Sequence, residues 1–249
     1  MNLKEQNVII KHILLVSQVK TINMWQSMLK QIPTNILGFA RKSLIFCLPN
    51  KSNLLRWKLI EDNLCTFCKK VETQLHVLSN CTSCLSRYTW RHDSILKTIL
   101  RKISTCNING IEIFADLSDF SYTCPSELFQ GKRPDIVLIF NNRAIIIELT
   151  VCFETNTKKS RDYKQSRYEH LKQEFQRSTS TFELLYVEFT TLGFISKESY
   201  APFKAFLAEI GVNAERTIYK CMETAVRASY YIFCRRNKSW NNPTLLDFY

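Results

Sequence analysis

Apolar residues recur along this chain with two different periods, and the change from one to the other divides it. Over the first sixty residues the spacing is helical. Met24, Trp25, Met28, Leu29 and Ile32 fall on one side of a helix that Pro33 interrupts. Ile36, Leu37, Phe39, Ala40, Leu44 and Ile45 predict a second helix, ended by Pro49 and the Asn and Ser around it. Leu55, Leu59 and Ile60 predict a third, short one. After a cysteine-rich stretch, Tyr88, Ile95, Ile99 and Ile103 predict a helix over 85–105.

From about residue 106 the texture changes. "IEIFADL" reads as a short strand or a helix start, and strands are predicted at about 135–140 and 143–151. A polar helix is predicted over about 157–177 and a strand, "FELLYVEF", over 182–189. Two helices near 197–210 and 213–236 follow, the second keeping Ile218, Met222, Val226, Tyr230 and Phe233 in period. The order strand–strand–helix–strand–helix–helix predicts an α/β fold, with a boundary near residue 105.

Charge changes this picture more than bulk composition does. Hydrophobic residues at 45% and charged residues at 22% are ordinary for a soluble globular protein. No apolar run approaches the roughly 18 residues of a membrane helix, and "MNLKEQNVII" lacks a signal-peptide layout, so an intracellular protein with no membrane partner is expected. The net charge of +12 is unevenly spread. Residues 1–60 hold nine Lys or Arg against the single acid Glu5, and Thr157–Arg177 holds seven basic residues against three acidic ones. Such excess points to a polyanionic partner, nucleic acid above all.

Ten cysteines in an intracellular chain are not expected to form disulfides. Cys65, Cys68, His76 and Cys81 stand at spacings of two, seven and four intervening residues. Zinc favours four thiolate or imidazole ligands in a closed tetrahedron, and a C-x2-C turn lets two thiolates share one ion. Cys84 offers an all-cysteine alternative through Cys81-x2-Cys84; His76 is preferred because it needs no second knuckle turn. Such a site holds together a segment with no core of its own and leaves no ligand position open for catalysis.

The stretch "KRPDIVLIFNNRAIIIELT", Lys132 to Thr150, carries two carboxylates in apolar surroundings. With Asn141-Asn142 as a two-residue hairpin loop, Phe140 faces Arg143. Each further pair then steps outward by one residue, so Asp135 faces Glu148 with Cβ atoms about 4.5–5.5 Å apart. Like charges so placed are unfavourable unless a cation or proton sits between them, and a hard divalent ion such as magnesium would serve. Thr150 shares the face of Glu148. On the following helix Lys164, Tyr168, Leu171 and Phe175 form one stripe, from which Lys164 can either snorkel or reach the acids. A metal-binding acid pair, a lysine and a basic surface suggest phosphodiester hydrolysis. The plainer alternative has Asp135 at a strand end and Glu148 paired with Arg133 or Lys164.

"RPD", then twelve residues, then "ELT" resembles the PD-(D/E)xK restriction-like endonuclease motif. More narrowly, it resembles the variant near the C-terminus of site-specific non-LTR retrotransposon proteins. A CCHC zinc knuckle precedes the motif there, as Cys65, Cys68, His76 and Cys81 do here, and "RHD" at 91–93 and "KQSRYEHL" at 164–171 are similar to that family as well. The resemblance covers most of the chain from about residue 55. It implies a restriction-endonuclease-like core, a mixed central sheet flanked by helices, preceded by a small helical, zinc-knuckle region. The expected divisions are a basic helical arm (1–62), a knuckle (63–84), a connecting helix (85–105) and an endonuclease domain (106–249).

The implied activity is metal-dependent DNA nicking, with Asp135 and Glu148 binding Mg (or Mn) and Zn in the knuckle. Thr150 stands where the motif's usual lysine would be, and Lys164 takes that role, as the helix-borne lysine does in this branch. Arg133 would complete the motif and Tyr168 support it; Glu188 and Glu127 are further candidate acids with less behind them. A DNA target duplex is the implied partner, RNA a second one, a homodimer a candidate assembly and the nucleus the expected location. About sixty residues precede the knuckle where the family carries a reverse transcriptase, and "FADL" lacks a second polymerase acid, so no polymerase is expected; the chain reads as a detached C-terminal piece. The rival reading is a non-cleaving DNA- or RNA-binding module.

Overall fold

The structure, a computed structural model, describes residues 7–106, 108–117, 133–175 and 181–243, with backbone alone for 169–175. Four helices open it: α1 (Val8–Val16), α2 (Val19–Leu29), α3 (Thr34–Leu44) and α4 (Lys51–Arg56). A π-helical turn (His76–Asn80) and a short 3-10 turn (Thr82–Cys84) lead into α5 (Leu85–Ile103). The strands are β1 (Glu112–Ala115), β2 (Ile136–Phe140), β3 (Arg143–Cys152) and β4 (Thr181–Thr190). Helix α6 (Thr157–Phe175) lies between β3 and β4, and α7 (Lys197–Glu209) and α8 (Ala214–Cys234) close the described chain. The protein is thus mixed α/β, a four-stranded sheet flanked by helices with a Cys/His cluster toward the N-terminal side.

The elements stand close to where the apolar periods put them, with one correction among the early helices. The short helix expected around Leu55, Leu59 and Ile60 runs over Lys51–Arg56 instead. Asn50 sets its start, its side chain accepting from Asn53 N–H at 3.1 Å, and Lys58 ends it by turning to φ +60°. Leu59 is consequently left exposed.

Sheet order is β1-β2-β3-β4; the first three strands are antiparallel and β3 and β4 parallel. Asn141 and Asn142 take φ +49° and +56°, the two left-handed positions of a type I′ turn. Phe140 therefore pairs with Arg143 and Ile136 with Ile147, the register expected from the sequence. The two sheet faces differ. Ile136, Leu138, Ile145, Ile147, Leu149, Leu185, Val187 and Phe189 enter the main core, which also takes Ile9, Trp25, Met28 and Phe39 from the helical arm and Ile218, Met222 and Val226 from α8. The arm and the sheet thus share one apolar core: the Trp25 indole N–H donates to the Leu192 carbonyl and its ring stacks on Phe194. The opposite face carries a smaller cluster, Val137, Ala144, Ile146 and Tyr168, beneath α6.

The turn after β4 depends on a glycine. Gly193 has φ +83°, and a methyl group there would overlap the Met222 carbonyl oxygen and meet Val226 at 3.0 Å. Gly211, at φ +74°, opens onto free space. Gly193→Ala is expected to cost about 2–3 kcal/mol and Gly211→Ala about 1 kcal/mol, read from urea denaturation midpoints. Equal losses would show that α8 gives way at Met222 without cost.

Candidate functional site

Two clusters of chemically capable side chains meet α5, one through Tyr88 and one through His92. The first is the cysteine cluster. Cys65 and Cys68 sit in a tight reversal closed by Cys65 N–H to Lys70 C=O (2.7 Å), with Lys69 at φ +59°. The π-helical turn then delivers His76 at its first residue and Cys81 immediately after its last. The four donor atoms all lie within 4.8 Å of one another. Cys65 Sγ and Cys81 Sγ are 3.9 Å apart and Cys68 Sγ is 3.3 Å from His76 Nε2. Zinc with S or N ligands at about 2.0–2.3 Å has tetrahedral edges of about 3.3–3.8 Å, so the cluster could hold a metal such as zinc. Cys84 is buried beside Cys81 but does not belong to the four-donor group.

The cluster is fastened to the helix that follows it. The Tyr88 hydroxyl, on the first turn of α5, accepts from Cys81 N–H at 3.0 Å and lies 2.9 Å from the His76 carbonyl and 3.1 Å from that of Val77. Arg87 spans the Phe67 and Trp240 rings and donates to the carbonyls of Arg235 and Lys238.

The second cluster lies on the α6 face of the sheet. Asp135 precedes β2 by one residue and Glu148 lies within β3; the Asp135 N–H donates to Glu148 Oε1 at 3.2 Å. Both side chains are buried, Glu148 almost completely. Helix α6 brings Lys164 over them, its Nζ 2.5 Å from Glu148 Oε2 and 3.2 Å from Asp135 Oδ2. Tyr168, one turn further along α6, is buried and within hydrogen-bonding reach of Glu148, and its hydroxyl donates to the Arg133 carbonyl at 3.4 Å. Leu149 N–H donates to Asp135 Oδ2 at 2.7 Å.

Burial, followed by the Asp135 charge, pushes the Glu148 carboxyl up to about 7 against the pull of Lys164. Burial would also raise Asp135, but His92, Lys164 and the Leu149 N–H outweigh it and hold that carboxyl below its ordinary value. The lysine is held above its ordinary value, because the two carboxylates outweigh its burial. One neighbour thus binds protons more readily than the other, although the two acids are of the same kind.

Other candidate residues stand elsewhere. The Arg133 guanidinium is exposed and pairs with Asp116, and its backbone carbonyl accepts from the Tyr168 hydroxyl. Thr150 pairs in register with Glu188, on the same sheet face as Glu148. The Glu188 carboxylate is engaged through one oxygen: Oε2 accepts from Arg161 Nη2 (2.7 Å), Ser196 Oγ (2.9 Å) and Ser199 Oγ (2.5 Å). Its hydrogen bonds among the described residues make it a brace for α6. Glu127 and the side chains of Leu171 and Phe175 lie outside the described residues. Two contributors were not picked out as site residues from the sequence. Arg161 stands one turn before Lys164 on the same helical stripe, and His92, the middle residue of "RHD", lies 3.4 Å from Asp135 Oδ2.

Zinc quantification on purified protein is expected to give about one zinc per chain, retained in Cys84→Ala and lost in His76→Ala. Zinc kept by His76→Ala and lost from Cys84→Ala would replace the ligand set with four cysteines.

Neither a protein-family model nor a curated protein matches this chain.

Proposed function

We propose that the protein is a metal-dependent DNA endonuclease of the restriction-like class, of the kind that nicks target DNA in non-LTR retrotransposons. The observation that carries the reading is the convergence of Asp135, Glu148 and the Lys164 ammonium beneath a basic helix. A structural ion pair needs one acid for one lysine, whereas here a second buried carboxylate is brought in at the cost of like-charge repulsion. That excess of acid is what a divalent cation requires. The knuckle fastened to α5 and the +12 net charge are consistent with a nucleic-acid partner.

The donor set fits magnesium or manganese: two carboxylates with hard oxygen atoms, neither committed to a close arginine. Such a cation, held by Asp135 and Glu148, would supply Lewis-acid polarisation of the scissile phosphate and a lowered pKa for attacking water. The remaining work falls to the chain. Lys164 Nζ, 2.5 Å from Glu148 Oε2, can transfer its hydrogen bond to a phosphoryl oxygen as negative charge builds there. Tyr168, buried between α6 and the sheet, backs Glu148 and excludes water from that side. Exposed Lys158, Lys159 and Arg167 on α6 flank the acids and can neutralise the DNA backbone without reading its sequence.

The test is nicking of supercoiled plasmid in Mg²⁺ or Mn²⁺. Asp135→Asn and Glu148→Gln should fall to background, and Lys164→Ala should lose about 10²–10³-fold, while all three still bind DNA with a salt-dependent affinity. Variants that nick as wild type does would refute the site. A wild-type protein that binds DNA but never nicks would make the chain a non-cleaving binding module.

A further inference from the structure

We infer that His92 is a positioning residue for Asp135, a role that rests on the acid pair being a cation site. The imidazole reaches that site from α5, on the opposite side from α6. Its Nε2 lies 3.2 Å from the Leu149 carbonyl and 3.4 Å from Asp135 Oδ2, and its Nδ1 lies 3.0 Å from Asp93 Oδ1. Each of these three neighbours accepts a hydrogen bond, so the ring is held between them in a fixed orientation with Nε2 turned toward the Leu149 carbonyl and Asp135. Asp93 holds the far side of the ring, as a carboxylate commonly orients an imidazole near a metal.

The consequence lies in which oxygen is used. Leu149 N–H, Lys164 Nζ and His92 Nε2 all approach Asp135 Oδ2. Among the described residues no donor reaches Oδ1. Three donors from three elements (β3, α6 and α5) fix the carboxylate rotamer by one oxygen and leave the other free to take a cation. Without His92 the carboxylate keeps its contacts with Leu149 N–H and Lys164 and can swing toward the lysine, which neutralises it.

The same contact links the two clusters. Cys84 immediately precedes α5, Tyr88 on its first turn holds the knuckle backbone, and His92 lies one turn beyond Tyr88. Helix α5 therefore carries the knuckle at one end and the orienting group for Asp135 eight residues further on.

The experiment measures Mn²⁺ binding to zinc-loaded protein by electron paramagnetic resonance, with plasmid nicking against Mg²⁺ concentration beside it. His92→Leu should weaken Mn²⁺ binding about 10–100-fold and raise the Mg²⁺ needed for half-maximal nicking by a similar factor, with zinc content and melting temperature unchanged. His92→Gln, whose amide can donate from the Nε2 position, should recover most of the loss; a merely space-filling role would show no such rescue. Should His92→Leu not fold, Asp93→Asn carries the test, with a smaller shift in the same direction. Wild-type Mn²⁺ affinity in His92→Leu or, failing that, in Asp93→Asn, beside its loss in Asp135→Asn, would overturn the inference and leave the acid pair standing. Wild-type affinity in Asp135→Asn would overturn the acid pair itself.

Discussion

Asp135 and Glu148 are held side by side in an apolar setting, and much of the sheet's α6 side is arranged around that fact. The hairpin turn fixes their proximity, since Asn141 and Asn142 allow one register and that register puts the two acids next to each other. A one-residue slip would send the whole strand's inward set to the other face. Once adjacent and buried, the carboxylates demand positive charge. Lys164 brings it from α6, and the His92 ring lies against Asp135 from the α5 side. The apolar neighbours on that sheet face, Val137, Ala144 and Ile146, offer no compensation.

That demand explains the character of α6. A helix covering an apolar sheet face ordinarily presents an apolar stripe. Here the stripe runs Arg161, Lys164, Tyr168, and each member meets an acid: Glu188 takes the arginine, the acid pair takes the lysine, and Glu148 is backed by the tyrosine. Glu188 and its two serines hold the helix start, so that Lys164 is delivered at a fixed height above the sheet. Buried ion pairs of this kind are poor evidence for stability, because desolvation offsets the Coulomb gain. Their value lies in fixing geometry, which is what a site requires.

The zinc-type cluster works on another principle. Residues between α4 and α5 have few apolar side chains of their own in the core, and Leu59, Leu64, Phe67 and Val71 stay exposed. Such a segment needs covalent or metal-like restraint to hold a shape. Its four donors are gathered by a C-x2-C turn and one π-helical turn, both local in sequence. Local closure is why the spacing alone revealed it.

What the sequence determined follows from short-range rules. Strand and helix periods, the Asn-Asn turn, the cysteine spacing and the facing of Asp135 and Glu148 each depend on residues within about twenty positions of one another, where sterics and pleat leave few choices. Lys164 was legible as a misfit on an otherwise apolar stripe. Tertiary structure decided the rest. It turned the Arg133 side chain to Asp116, consumed Glu188 in a brace, merged the helical arm with the sheet in one core, and brought His92 to Asp135 across forty-three residues of chain. No periodicity encodes such meetings, because they depend on how α5 crosses the sheet, and that angle is set by the packing of side chains contributed from both ends of the chain.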